Sequence, residues 1–189
     1  MYYHGLEGVA HQVTRVATSV NGIDFVAQPQ VLGRTYFRAF TWQDMTYGQA
    51  MPGRMYRGET PFGPFTAGPR LFNPNMRHSA VLVRDGQLMV FWTEVGDAPE
   101  HIKLSTIDLL SDWQDWQNTV GVEILRPQFE WEGAAADVVP SIRSTAYGRV
   151  NQLRDPAIYV EDQRVYLLYA VAGEAGIALA EIHFNSGTM

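Results

Sequence analysis

Two stretches of the chain bring together residue types that can move protons and hold polar ligands. Arg77-His78-Ser79-Ala80 and Leu153-Arg154-Asp155-Pro156-Ala157 each place a guanidinium beside a titratable side chain at the head of an apolar run. An acidic connection follows each of them: Gly96-Asp97-Ala98-Pro99-Glu100-His101 after the first and Gly173-Glu174-Ala175-Gly176 after the second. A carboxylate such as Asp155, set across a pocket from Glu100 or Glu174, could do acid–base chemistry if apolar walls raised the pKa of one partner. Each group also has a plainer reading. Asp155 can pair with Arg154 as a purely architectural ion pair. Glu100, Glu174 and Asp97 can be solvated loop carboxylates, and His78 a hydrogen-bonded structural residue.

The elements that must position these groups are strands, and they repeat. Arg77–Gly96 aligns without a gap on Arg154–Gly173, 77 positions later, with Arg77/Arg154, Ala80/Ala157, Val83/Val160, Asp85/Asp162 and Gly96/Gly173 identical. A weaker third copy lies upstream, where Ala39, Trp42, Asp44 and Tyr47 fall where Ala80, Val83, Asp85 and Leu88 do. Apolar runs around a polar turn, spaced near 40 and 77 residues, mark a repeated antiparallel sheet module. The pattern predicts a strand near Met1–Gly5, further strands at Val13–Ser19 and Phe25–Val31, and a second module from Tyr36 to about Phe72. A third module runs from His78 to about Leu125 and a fourth from Leu153 to Ile182. Residues 126–152 form a long connection, and residues 183–189 read as a tail. Only Ser105–Asn118 has helical spacing, with Leu109, Trp113 and Trp116 three or four apart, and a turn or two is expected there.

Composition narrows the partners. The chain has 189 residues, 46% hydrophobic and 12% aromatic, enough for one domain with a substantial core. A formal net charge of −6 gives no basic footprint, so nucleic acid and anionic membranes are not expected partners. Of 14 basic residues one is lysine, Lys103, and the rest are arginines, whose planar forks can hold carboxylates or sugar hydroxyls. There are no cysteines, so a disulfide or thiolate metal site is excluded, and a reducing, cytoplasmic setting is the expectation. The five histidines show no ligand spacing, and no phosphate-binding glycine loop or nucleophile elbow is present. No metal or cofactor is expected.

The entries Arg-His-Ser-Ala and Leu-Arg-Asp-Pro-Ala, each leading into an apolar strand, an Asp-centred turn and a second strand rich in Tyr or Trp, resemble the five-bladed β-propeller glycosidases of the arabinanase, xylosidase and fructosidase type. The resemblance implies an all-β chain with about three and a half four-stranded antiparallel blades, in a single partial propeller domain over residues 1–189. It implies an N-terminally incomplete member, prone to self-association unless the missing blades come from elsewhere. First strands would line a central channel whose mouth binds carbohydrate. Asp155 matches the family's Asp-Pro and would be base or orienting carboxylate, with Glu100 and Glu174 as acid candidates. Arg77, His78, Arg154 and Arg38 would be substrate-binding. The family's motif usually falls in the first blade, whereas here it falls in the last, and His78 stands where a second carboxylate is expected. If first strands start at the pocket end, the connections between blades, with Glu130, Glu132, Asp137, Arg143 and Arg149, also lie there, whereas Trp113 and Trp116, in a third-to-fourth connection, fall at the opposite end and are read as packing. The implied function is a glycoside hydrolase-like activity. The alternative is a non-catalytic carbohydrate-binding or scaffolding propeller.

Overall fold

The computed structural model describes residues 1–184; the expected tail beyond that point lies outside the described residues. Four antiparallel sheets follow one another in chain order. In the first, β2 (His11–Thr18) pairs with β1 (Tyr2–Gly8) along one edge and with two short strands, β3 (Val26–Ala27) and β4 (Gly33–Arg34), along the other. The outer strand expected over Phe25–Val31 is thus reduced to a two-residue pairing. The second sheet is β5 (Arg38–Trp42), β6 (Met45–Ala50), β7 (Arg54–Gly58) and β8 (Thr66–Arg70), a simple meander. The third is β9 (Met76–Arg84), β10 (Gln87–Glu94), β11 (Ile102–Asp108) and β12 (Val122–Leu125); the fourth is three-stranded, β13 (Arg154–Glu161), β14 (Arg164–Val171) and β15 (Gly176–Ile182).

Alternation explains the strands. In β14, Val165, Leu167, Tyr169 and Val171 are buried while Arg164, Tyr166, Leu168 and Ala170 are exposed or half-buried, the period of two that gives a strand one core face. In β10, Leu88, Val90, Phe91, Trp92 and Thr93 are all buried, as a strand covered on both faces requires.

The hairpins fix the repeat more sharply than identities do. Gln43-Asp44, Asp85-Gly86 and Asp162-Gln163 each have both residues at positive φ between successive strands, the geometry that matches the twist of a two-residue hairpin. Asp44 is therefore the second residue of its turn, whereas Asp85 and Asp162 are the first. The third copy is one residue out of step in the sequence alignment, and Tyr36, not Phe37, is the counterpart of His78 and Asp155. The backbone bears this out: Tyr36, His78 and Asp155 all lie in the left-handed region, at φ 56°, 37° and 47°. A side chain with a Cβ visits that region rarely, at a cost of about 1–3 kcal/mol, so its recurrence at one place in three sheets marks a repeated device.

By their internal contacts the described residues form two compact units: 1–77 with 81–89 and 106–120, and 78–80 with 90–105 and 121 onward. In the first, Phe37, Ala50 and Tyr56 form a core joined by Tyr2, Ala39 and Phe65. Ser105–Asn118 carries no helix: its first four residues complete β11, and the rest are turns and irregular backbone ending in the bridge of Asn118 to Ile107. Trp113 and Trp116 pack there, 6% and 3% exposed, against Tyr47, and Gly68 leaves the room, since a Cβ on it would sit 2.2 Å from the Trp113 ring. The packing role expected for both tryptophans is what the structure has. In the second unit, Val90, Phe91, Ile102, Leu153, Leu167 and Ala172 are among the buried apolar residues.

Candidate functional site

The entry of β13 is bulged. Arg154 pairs with Ala170 and Ala157 with Leu168, so Asp155 and Pro156 together oppose Tyr169. Proline has no N–H to give a ladder and suits such a place, and the bulge with its left-handed Asp155 re-aims the carboxylate out of the pleat. The Asp155 side chain keeps 43% of its exposure, and its Oδ1 lies 3.2 Å from Nδ1 of His78. Residues at equivalent positions of two repeats, both with left-handed backbone, thus meet through their side chains.

Arg154, 1% exposed, is the hub beneath them. Its Nε lies 3.3 Å from Oε2 of Glu100 and donates to Oε1 of Gln152 at 2.9 Å, with Nη2 donating to the same oxygen. Its Nη1 donates to Oε1 of Glu174 at 3.0 Å and to the Ser144 carbonyl at 3.1 Å. One guanidinium so ties together the start of β13, the β10–β11 connection, the β14–β15 turn and the long connection. A buried cation needs this many partners, because desolvating it otherwise costs several kcal/mol.

The two acid candidates part company here. Glu100 is fully buried, its strand segment bridged to Gln152 and its carbonyl accepting from Leu153 N at 2.9 Å. Glu174 has a side chain 39% exposed and also accepts from Ala146 N at 3.3 Å. Asp155 and Glu174 line one cleft of about 420 Å³, otherwise walled by Ala157, Leu168, Tyr169, Ala170 and Ile177. The cleft therefore holds two carboxylates against apolar walls, with Glu100 behind, on Arg154.

Arg77 is the second residue of β9, at 3% exposure, and Arg38 opens β5; both belong to the first unit. Arg38 acts there on His4, whose pKa is lowered by burial and by the Arg38 charge, and whose ring lies 4.5 Å from that of Tyr36. Asp97 lies 2.8 Å from Nζ of Lys103, which also donates to Glu94 at 2.6 Å. Burial alone would lower the Lys103 pKa, but hydrogen bonds and charge from Asp97 and Glu94 outweigh it and hold the ammonium above its ordinary value. Among the described residues no group of three or more His, Asp or Glu is arranged to hold a metal ion.

Gln152, Tyr169 and Glu132 also belong to the site; strand direction put Glu132 at the pocket end and the repeat matched Tyr169 to Trp92, but nothing in the sequence paired the two or pointed to Gln152. Glu132, 2% exposed, accepts the Tyr169 hydroxyl at 3.0 Å. Burial, then the bond to Glu132, pushes the Tyr169 phenol up to about 12.

This arrangement sits on a known fold. The chain superposes on an α-L-arabinanase of Cellvibrio cellulosa bound to arabinohexaose with a TM-score of 0.59 at 11% identity, covering 98% of this chain and 70% of that one. A thermostable family-43 glycoside hydrolase gives a TM-score of 0.63 at 12% identity, over 100% and 69% of the two chains. An endo-1,4-β-xylanase of Bacteroides thetaiotaomicron gives 0.62 at 14%, over 99% and 66%. The likeness is one of fold: an all-β propeller, with four blades in this chain. In sequence, the chain is 31% identical over 187 aligned positions to an uncharacterized protein of Acanthamoeba polyphaga mimivirus, taking in 90% of this chain and 52% of that protein. The chain spans about half the length of this curated relative. No family profile matches it.

Proposed function

We propose that the protein is a glycoside hydrolase-like propeller that takes a carbohydrate into the cleft between Asp155 and Glu174. The observation that carries this reading is the convergence of those two carboxylates on one apolar-walled cleft, within a fold shared with arabinan- and xylan-cleaving enzymes. Asp155 is the base or orienting carboxylate, with His78 beside it. Glu174 is the acid candidate, because its half-exposed side chain lines the cleft with Asp155 and is positioned there by Arg154. Glu100 serves as the buried counter-charge of Arg154. Arg38 and Arg77 remain substrate-binding candidates of the first unit. We take the propeller to be of the five-bladed type.

The test is Asp155→Asn, which keeps shape and removes charge. Turnover of an aryl-furanoside and aryl-pyranoside panel should fall ~10²–10⁴-fold, the usual worth of a general acid or base, with sugar binding and melting temperature largely kept. A variant that melts far earlier while its folded fraction keeps full turnover would show Asp155 to be architectural. A second reading, a non-catalytic carbohydrate-binding propeller, is favoured by one observation: of the equivalent positions Tyr36, His78 and Asp155, only the last is a carboxylate. Sugar binding without turnover in the unaltered protein would select it.

A further inference from the structure

The 3-10 turn Glu130–Glu132 is pinned from below. Oε2 of Glu132 accepts from the backbone N–H of Gln128 at 2.8 Å and of Phe129 at 3.1 Å, while its carbonyl accepts from Ala172 N at 2.9 Å. Gly133 follows at φ 97°, where a Cβ would come within 2.2 Å of the Val150 carbonyl oxygen, so the turn lies flush against its support. With Glu132 turned inward, Phe129 and Trp131 are forced outward, 56% and 51% exposed. Their rings are parallel to within 6°, with centroids 5.5 Å apart. Arg149 donates through Nη2 to the Glu130 carbonyl at 2.8 Å, which brings an exposed guanidinium with further N–H donors to the residue between the two aromatics.

Two aligned aromatic faces held by a buried carboxylate are a binding surface in the making. The flanking Gln128 and Glu130 are exposed and polar, so the rings are interleaved along the turn with groups that can hydrogen-bond a polar ligand. A sugar unit fits this chemistry: its C–H face is apolar and weakly positive, matching the negative face of an aromatic ring, and its hydroxyl edge accepts hydrogen bonds. The turn is also coupled to the cleft, because Tyr169 lines the cleft and donates to Glu132.

We propose that Phe129, Trp131 and Arg149 form a carbohydrate subsite separate from the Asp155 cleft, one that takes a unit of a polymeric glycan. The proposal rests on the carbohydrate reading above, but its test is independent of turnover. The full chain is run in native gels containing linear arabinan or arabinoxylan, with Trp131→Ala, Trp131→Phe, Arg149→Ala and Asp155→Asn alongside. The unaltered protein should be retarded by at least one of these polymers. Trp131→Ala should weaken the retardation about tenfold, as truncation of an aromatic hot spot does, with unchanged melting. Trp131→Phe should keep most of it, Arg149→Ala should lose part of it, and Asp155→Asn should keep it. Absence of retardation in the unaltered protein, or equal retardation of Trp131→Ala, overturns the subsite. So does a Trp131→Ala variant whose main change is in sedimentation, since that makes the rings a protein contact. If Trp131-dependent retardation persists while no glycoside is turned over, the catalytic reading falls and the subsite stands. If glycosides are turned over and Trp131→Ala binds polymer like the parent, the subsite falls and the catalytic reading stands.

Discussion

Arg154 makes opposite demands on its two carboxylates. Glu100 has no access to water, so Glu100→Gln leaves a buried guanidinium short of charge and should destabilise by about 3 kcal/mol or more, measured by urea unfolding. The Glu174 side chain is 39% exposed, and water can replace much of what it gives, so Glu174→Gln should cost under about 1 kcal/mol while still impairing any chemistry in the cleft. Tyr169 offers a pH test. Its folded pKa, about 12, stands above the ordinary 10.0, so its contribution to stability is full below pH 10 and is lost as the pH climbs toward 12. Tyr169→Phe should remove that portion of the alkaline loss, read from melting temperature against pH. It should also lower stability at neutral pH by about 1–3 kcal/mol, since Glu132 loses a buried donor.

Elements repeat here through their turns and entries more than through their cores. Each of the three hairpins Gln43-Asp44, Asp85-Gly86 and Asp162-Gln163 needs two residues at positive φ, and only the second has the Asp-Gly pair that suits such a turn. Gln163, at φ 67°, is held where a Cβ is disfavoured. Gln163→Gly should therefore stabilise the fourth sheet by about 1 kcal/mol, whereas Gly86→Val, at φ 75°, should cost at least as much; chemical denaturation of both variants checks the pair. The left-handed entries at Tyr36, His78 and Asp155 are a second repeated feature. There the backbone is the same and the side chain alone changes, which is how one scaffold can carry different chemistry at equivalent places.

At the scale of the whole molecule, the fourth sheet presents an open apolar face. Leu168 pairs with Leu179, Ala170 with Ile177 and Tyr159 with Tyr166, and Tyr159, Ile177 and Leu179 are 50%, 78% and 57% exposed. A contiguous face of this kind draws partners. We expect the isolated chain to self-associate through it, in competition with a ligand in the Asp155 cleft, since Leu168, Ala170 and Ile177 also wall that cleft. Leu179→Lys with Ile177→Lys should shift sedimentation toward the 21.2 kDa monomer without loss of β structure. A parent chain already monodisperse at high concentration would show the face to be tolerated in water.

What the sequence determined by itself was local or periodic. The propeller was read from the resemblance of two strand entries to a known family; strand alternation, Asp-centred turns and the 77-residue offset follow from neighbours along the chain, and they were enough to read the sheets and the packing of Trp113 and Trp116. They also made Arg154, Asp155, Glu100 and Glu174 candidates, since each opens a strand or sits in a connection. They did not show which carboxylate would be buried. Glu100 and Glu174 look alike in sequence, and only the long connection closing over Arg154 shuts one from water and leaves the other at the cleft. The register of the upstream copy escaped for a related reason: Asp occurs at either position of a two-residue turn, and backbone torsion alone tells them apart. The pairing of Glu132 with Tyr169 and the outward turn of Phe129 and Trp131 were decided by tertiary structure alone. Inward and outward there depend on a contact 37 residues away in the chain, and burial is a property of the packed surroundings, not of the residue.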